Sequence, residues 1–247
     1  MANTSWKGRI LNVGEAAFAD PTRALATALA AIVVGGAATL LVVSGGGLVG
    51  HWRGDGNALD EVRSNDGIIN GGVSFDAGRS GLAFRLDGED DYVEILNHPT
   101  LNPTSFTLAA WVRTEQATEG TVIANPACGG QRYGLYVNAG RAVMRFTPAD
   151  RMGDVEAMGT TLVNDGAWHH LAGVFDDQGN SLRVYVDGRL EGNTITTRSP
   201  ANSVSPLLIG GPDQWTGGYL RGLIDEVRFD KVAYSDEEVL DLYSLEV

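Results

Sequence analysis

One cysteine, Cys128, is all the thiol this chain carries, so no disulfide can form within it and the fold must stand on packing alone. Cys128 lies in the turn-like stretch Asn125-Pro126-Ala127-Cys128-Gly129-Gly130, with no Cys or His at ligand spacing. A nucleophile needs an activating neighbour, so Cys128 reads as structural or incidental. Basic residues are also scarce, at 18 against 31 acidic ones, for a net charge of -13. That balance excludes nucleic acid as a partner, because phosphate binding needs a basic face. Charge of either sign is missing altogether from Ala24 to Gly50.

The core of that uncharged stretch, Ala24–Val43, reaches about 30 Å as a helix, the thickness of a bilayer's hydrocarbon core. It therefore predicts a single transmembrane helix over 24–43, followed by a Gly-rich tether over 44–47 that breaks the helix. A cleaved signal peptide fits less well, since the apolar run is long and its polar leader spans 1–23. Lys7, Arg9 and Arg23 precede the run, which by the positive-inside rule places 1–23 in the cytoplasm and the rest in the periplasm or beyond. Three of the basic and two of the acidic residues lie in that leader, so 48–247 carries -14. Thr27, Ala31, Gly35 and Thr39 recur every fourth residue, a small-residue stripe suited to close packing against another membrane helix.

From Leu48 onward the pattern changes. Leu182, Val184 and Val186 alternate with Arg183, Tyr185 and Asp187, as in a half-buried strand, and Asp187-Gly188 is a hairpin turn signal. Similar runs are Tyr92–Ile95, Thr107–Val112, Gly134–Val137, Val143–Phe146, His170–Phe175, Leu207–Gly210 and Gly222–Phe229. With 33 glycines punctuating short apolar stretches, they predict an all-β sandwich with antiparallel sheets over 48–247. The end alone reads as helical: Ser235 and Glu238 form a capping box ahead of Val239, Leu242 and Tyr243.

These runs, in order, resemble the concanavalin A-like, laminin-G-like domains. The matching segments are Leu48-Val-Gly-His-Trp-Arg-Gly-Asp-Gly-Asn57, Gly81-Leu-Ala-Phe-Arg-Leu-Asp-Gly88, Asp91-Tyr-Val-Glu94 and Ser105-Phe-Thr-Leu-Ala-Ala-Trp-Val112. Trp168-His-His-Leu-Ala-Gly-Val-Phe-Asp176, Leu182-Arg-Val-Tyr-Val-Asp-Gly188, Leu223-Ile-Asp-Glu-Val-Arg228 and Ser235-Asp-Glu-Glu-Val239 complete the set. The resemblance implies a jelly-roll sandwich of about a dozen strands, and little about its ligand, since the fold hosts lectins, adhesion modules, glycosidases and structural parts. It also implies a structural Ca²⁺ where the first strand meets the last, with Asp55, Asn57 and Asp225 as the matching ligands.

Catalytic residues are not in view. His169 and His170 are neighbours in a strand and face opposite ways, so they cannot share a metal, and Trp168 reads as a packing anchor beside them. The acids Asp87, Glu89, Asp90, Asp91 and Glu94 cluster without the alternating triplet of this fold's glycosidases. Asp225 and Glu226, being adjacent, are expected on opposite faces. For sugar stacking, Trp215 in its Gly-Pro-rich loop is the first candidate, with Tyr133 and Gln131 second.

Two functions follow. One is a non-catalytic, membrane-anchored subunit of a larger membrane complex, its helix packed against partner helices. A short segment, Phe18-Ala-Asp20-Pro21-Thr-Arg23-Ala-Leu25, is similar to the lead-in of the membrane helix in bacterial light-harvesting α polypeptides. That similarity implies a place beside photosynthetic pigment proteins, although the span lacks a pigment-ligating His. The other function is a cell-surface module that binds glycans or proteins.

Overall fold

The structure, a computed structural model, describes residues 32–34, 37–39, 47–126, 132–200, 203–212 and 218–245. The chain divides into two units, Met1–Gly46 and Gly47–Val247. In the first, β1 (Ile32–Val34) and β2 (Ala37–Thr39) pair antiparallel, Ile32 opposite Thr39. These six residues differ from the helix expected over 24–43. Ile32-Val33-Val34 is a β-branched run, and Gly35-Gly36 is a sequence that suits a two-residue reversal. The remainder of that span, with Thr27, Ala31 and Gly35 of the small-residue stripe, lies outside the described residues, as does the segment 18–25. Among the described residues no helix is long and apolar enough to cross a membrane.

The second unit is an all-β sandwich that ends in a short helix. Its strands are β3 (Leu48–Trp52), β4 (Gly67–Asn70), β5 (Ser74–Ala77), β6 (Leu82–Asp87), β7 (Tyr92–Ile95), β8 (Phe106–Thr114), β9 (Gly120–Pro126) and β10 (Arg132–Asn138). The chain continues through β11 (Arg141–Phe146), β12 (Val155–Met158), β13 (Trp168–Asp176), β14 (Ser181–Val186), β15 (Arg189–Ile195), β16 (Leu207–Ile209), β17 (Arg221–Asp230) and helix α1 (Asp236–Leu245). One sheet runs β12-β11-β10-β9-β16-β7-β4; the other runs β15-β14-β13-β8-β17-β6-β5, with β3 also paired to β17. All of these pairings are antiparallel, which lets hairpins and crossovers build two apposed faces.

Between the sheets, alternate residues of each strand interlock. Phe106 lies 4.8 Å from Tyr133 and 5.7 Å from Phe175, and Phe146 lies 5.0 Å from Phe175. The hairpin expected at Asp187-Gly188 joins β14 to β15 with both residues at positive φ, the geometry that follows the strands' own twist. The capping box also forms: Ser235 N–H donates to Glu238 Oε2 at 2.8 Å and Glu238 N–H to Ser235 Oγ at 3.2 Å. Helix α1 then lays Val239 and Leu242 on the outer face of the β3-containing sheet, against Ala109, Ala172, Val174 and Tyr185.

Strand β17 organises the site. Its first half pairs with β6 and its second half with β3 along one edge, while β8 runs along the other. At the change of partner the register against β8 slips between Asp225 and Arg228. Ile224 and Val227 both belong to the core, so two successive residues, Asp225 and Glu226, are left off it. The expectation that adjacency puts them on opposite faces therefore fails here, because a β-bulge breaks the alternation.

Candidate functional site

Glu226 is the extra residue of that bulge and sits at φ +49, in left-handed space that costs a side-chain-bearing residue about 1–2 kcal/mol. It is nonetheless buried, and its carboxylate is bonded on both oxygens. His51 Nε2 lies 2.5 Å from Oε2, and Arg53 Nε donates to Oε1 at 3.2 Å. Burial acts to raise the Glu226 pKa, but the bonds from His51 and Arg53 outweigh it and hold the carboxyl below its ordinary value. Arg53 also reaches Asp55, with Nη2 at 3.1 Å from Oδ2.

Around Glu226 opens a cleft of about 610 Å³, lined by His51, Arg53, Glu61, Arg79, Ser80, Glu226, Arg228 and, from α1, Leu242 and Leu245. His51 and Arg228 are cross-strand partners on β3 and β17, which sets them side by side on the outer face. Arg79 reaches in from the β5–β6 connection, its guanidinium 4.6 Å from the centre of the Trp111 ring. The wall is braced from behind by Asp60, whose two oxygens accept the backbone N–H groups of His51, Val62, Arg63 and Asn65. Its volume falls in the range of small-ligand sites, and its lining is mostly charged and polar, with Leu242 and Leu245 as the apolar edge.

The three residues expected to hold calcium are each engaged with the chain. Asp225 Oδ2 accepts from the N–H of Arg79 at 2.7 Å and of Ser80 at 3.0 Å, and Oδ1 accepts from Glu226 N–H at 2.8 Å. Burial pushes the Asp225 carboxyl up to about 6, against those N–H groups. Asp55 Oδ1 accepts from Leu82 N–H at 2.8 Å, and Asn57 binds the backbone of Asp55 and Leu59. Asp55 and Asp225 thus grip the two ends of one turn, residues 79–82. Among the described residues, the acids whose oxygens converge within 4.8 Å are instead Asp87, Asp90 and Asp91. There Asp91 Oδ2 accepts from Asp87 N–H at 3.0 Å, and Asp87 Oδ1 accepts from Glu89 N–H at 2.8 Å.

Of the expected sugar-contacting residues, Trp215 and Gln131 lie outside the described residues. Tyr133 is not available to a ligand: it is 3% exposed, packs at a tilt against Phe106, and donates its hydroxyl to the Leu101 carbonyl at 2.5 Å. His169 and His170 do face opposite ways. His169 Nδ1 is 2.9 Å from Asp187 Oδ2, whereas His170 is fully buried between Trp111 and Tyr243 under α1. Trp168 is half-buried at the start of β13, and among the described residues Trp52 and Trp111 are the deeply packed indoles. His51 and Arg53, Arg79, and Glu226 went unmarked as a site in the sequence because they belong to three separate segments that come together only at the β17 bulge.

The signature of the concanavalin A-like lectin/glucanases superfamily matches residues 87–240, and the chain belongs to that superfamily. Among solved structures it is similar to domain 4 of AbnA, a GH43 extracellular arabinanase from Geobacillus stearothermophilus, in complex with arabinotriose. That likeness has a TM-score of 0.67 at 20% identity and covers 80% of this chain and 98% of that one. The binding domain of Paraclostridial Mosquitocidal Protein 1 matches with a TM-score of 0.67 at 15% identity, over 81% of this chain and 52% of that one. A structure of botulinum neurotoxin type C, whose cell entry depends on interaction with two ganglioside molecules, matches with a TM-score of 0.65 at 11% identity, over 82% and 52%. The chain therefore spans about half the length of these toxin binding domains. At such identities the likeness is one of fold.

Proposed function

We propose that this chain is a non-catalytic glycan-binding module and that the cleft around Glu226 takes the ligand. The observation that carries the reading is Glu226 itself, a buried acid in left-handed backbone, turned by a bulge into a 610 Å³ polar cleft. Bulges and backbone strain of this kind gather where a side chain must be aimed at something. The family and the arabinotriose-bound and ganglioside-dependent fold relatives support a sugar ligand over a place in a photosynthetic complex. Sugar hydroxyls suit an acceptor such as Glu226 flanked by donors, and Leu242 and Leu245 offer an apolar edge to a ring's carbon face. The uncharged stretch 24–43 supports membrane anchoring with the domain on the outer side, as a further part of the proposal.

The test is a glycan array followed by calorimetry on the full chain in detergent. Saturable binding is expected, and Glu226→Gly should weaken it at least tenfold while the protein stays folded, since glycine accepts φ +49 freely. Absence of saturable binding to any glycan would overturn the reading. Blue-native electrophoresis gives the rival outcome, since co-migration with a large membrane complex would favour an accessory subunit.

A further inference from the structure

We infer that the ligand of this cleft carries a carboxylate, so that the module selects acidic sugars such as uronic or sialic acid residues, with Arg79 as the residue that reads the charge. The inference rests on the reading of the cleft as the glycan site and adds the chemical class of its ligand.

Three arginines line the cleft in a chain whose net charge is -13. They are not equivalent. Arg53 is occupied by Glu226 and Asp55, at 3.2 Å and 3.1 Å. Arg228 Nε is 3.9 Å from Asp230 Oδ2. No acceptor among the described residues takes a hydrogen bond from the Arg79 guanidinium. Its Nε is buried without a hydrogen-bond partner, and its one contact of note is the Trp111 ring beneath it. Cation–π attraction to the indole holds the guanidinium in place, and a guanidinium's paired N–H groups match the two oxygens of a carboxylate. The turn that carries Arg79 is itself clamped, because Asp225 accepts the N–H groups of Arg79 and Ser80. An arginine held in place on both backbone and side chain, yet lacking an anion, is preorganised for one.

The charge around the cleft narrows the anion. Glu61 and Glu226 line the same cleft and would repel a doubly charged phosphate more strongly than a singly charged carboxylate. The same acids accept hydroxyl hydrogens from the sugar ring that bears the carboxylate.

Matched pairs decide the matter: a panel of sialylated and uronate-containing oligosaccharides and their methyl esters, titrated into the full chain by calorimetry. The acid should bind at least tenfold more tightly than its ester, and the difference should shrink as salt is raised. Arg79→Gln should abolish the difference, and Arg79→Lys, which keeps the charge but not the fork, should retain part of it. A thermal melt of each variant separates loss of binding from loss of fold. If acid and ester bind alike while Glu226→Gly still abolishes both, the carboxylate inference falls and the glycan reading stands. Loss of binding in Trp215→Ala with Arg79→Gln unaffected would also overturn it, moving recognition to Trp215. If no member of the panel and no arrayed glycan binds, both readings fall together.

Discussion

His51 on β3 and Glu226 on β17, 175 residues apart in the chain, meet at 2.5 Å and close the floor of the cleft. The contact has a pH signature. Glu226 is held below its ordinary carboxyl value of 4.5, burial acting to raise it and the His51 and Arg53 bonds lowering it further than burial raises it. A lowered acid contributes stability that is complete above 4.5 and is lost as pH falls through the folded-state value. Thermal melts from pH 6 down to pH 3 should show that loss in the wild type and a shallower one in Glu226→Gln. Parallel curves for the two proteins would contradict the assignment.

His170 titrates with the same sense over a different range. Burial is the main cause of its lowering, and its pKa is brought from 6.5 to about 4. The folded protein therefore keeps it neutral, and its contribution is complete above pH 6.5 and declines as pH falls from 6.5 toward 4, by about 3 kcal/mol in all. His170→Phe should flatten the stability profile across that interval in urea denaturation. An unchanged slope would show that the decline comes from other groups.

Gly50 lies under the indole of Trp52, and a Cβ there would run into the ring. Trp52 is fully buried and donates Nε1–H to the Asn65 carbonyl at 2.8 Å, so it cannot swing aside without giving up that bond. Gly50→Ala should cost about 1–3 kcal/mol, the range for overpacking a tight core. A chemical-denaturation midpoint equal to the wild type's would mean that the indole relocates freely.

Tyr133 gives a prediction with two readouts. Removing its hydroxyl leaves the buried Leu101 carbonyl without this donor, at about 1–3 kcal/mol. Tyr133→Phe should lower the melting temperature and leave glycan affinity unchanged. A weakened affinity with intact stability would return Tyr133 to the ligand site.

The sandwich was legible in the sequence wherever one face of a strand was solvated or a turn was chemically marked. The Asp187-Gly188 hairpin and the Ser235–Glu238 capping box formed as their residues dictated. Strand β9 escaped notice for the opposite reason. It is buried on both faces, so Gly120–Pro126 has no alternation to read. Strands β4, β5 and β15 are edge strands with mostly exposed residues, and their weak apolar pattern gave no signal. In 24–43, hydropathy pointed to a helix, whereas the described residues 32–34 and 37–39 pair as strands. The cleft was hidden for a deeper cause: a one-residue slip in β17 decides where Asp225 and Glu226 point, and no local pattern in Leu223–Arg228 announces it.

The pairing of β3 with β17 also determines how the domain would bear force. The sandwich unit begins at Gly47, just before β3, and β3 is bonded directly to β17. His51 and Arg53 stand on or just past β3, and Glu226 and Arg228 on β17. A ligand held in the cleft and an anchor held at the N-terminal side would thus share one short seam. Any load applied at Gly47 would meet the β3–β17 ladder first.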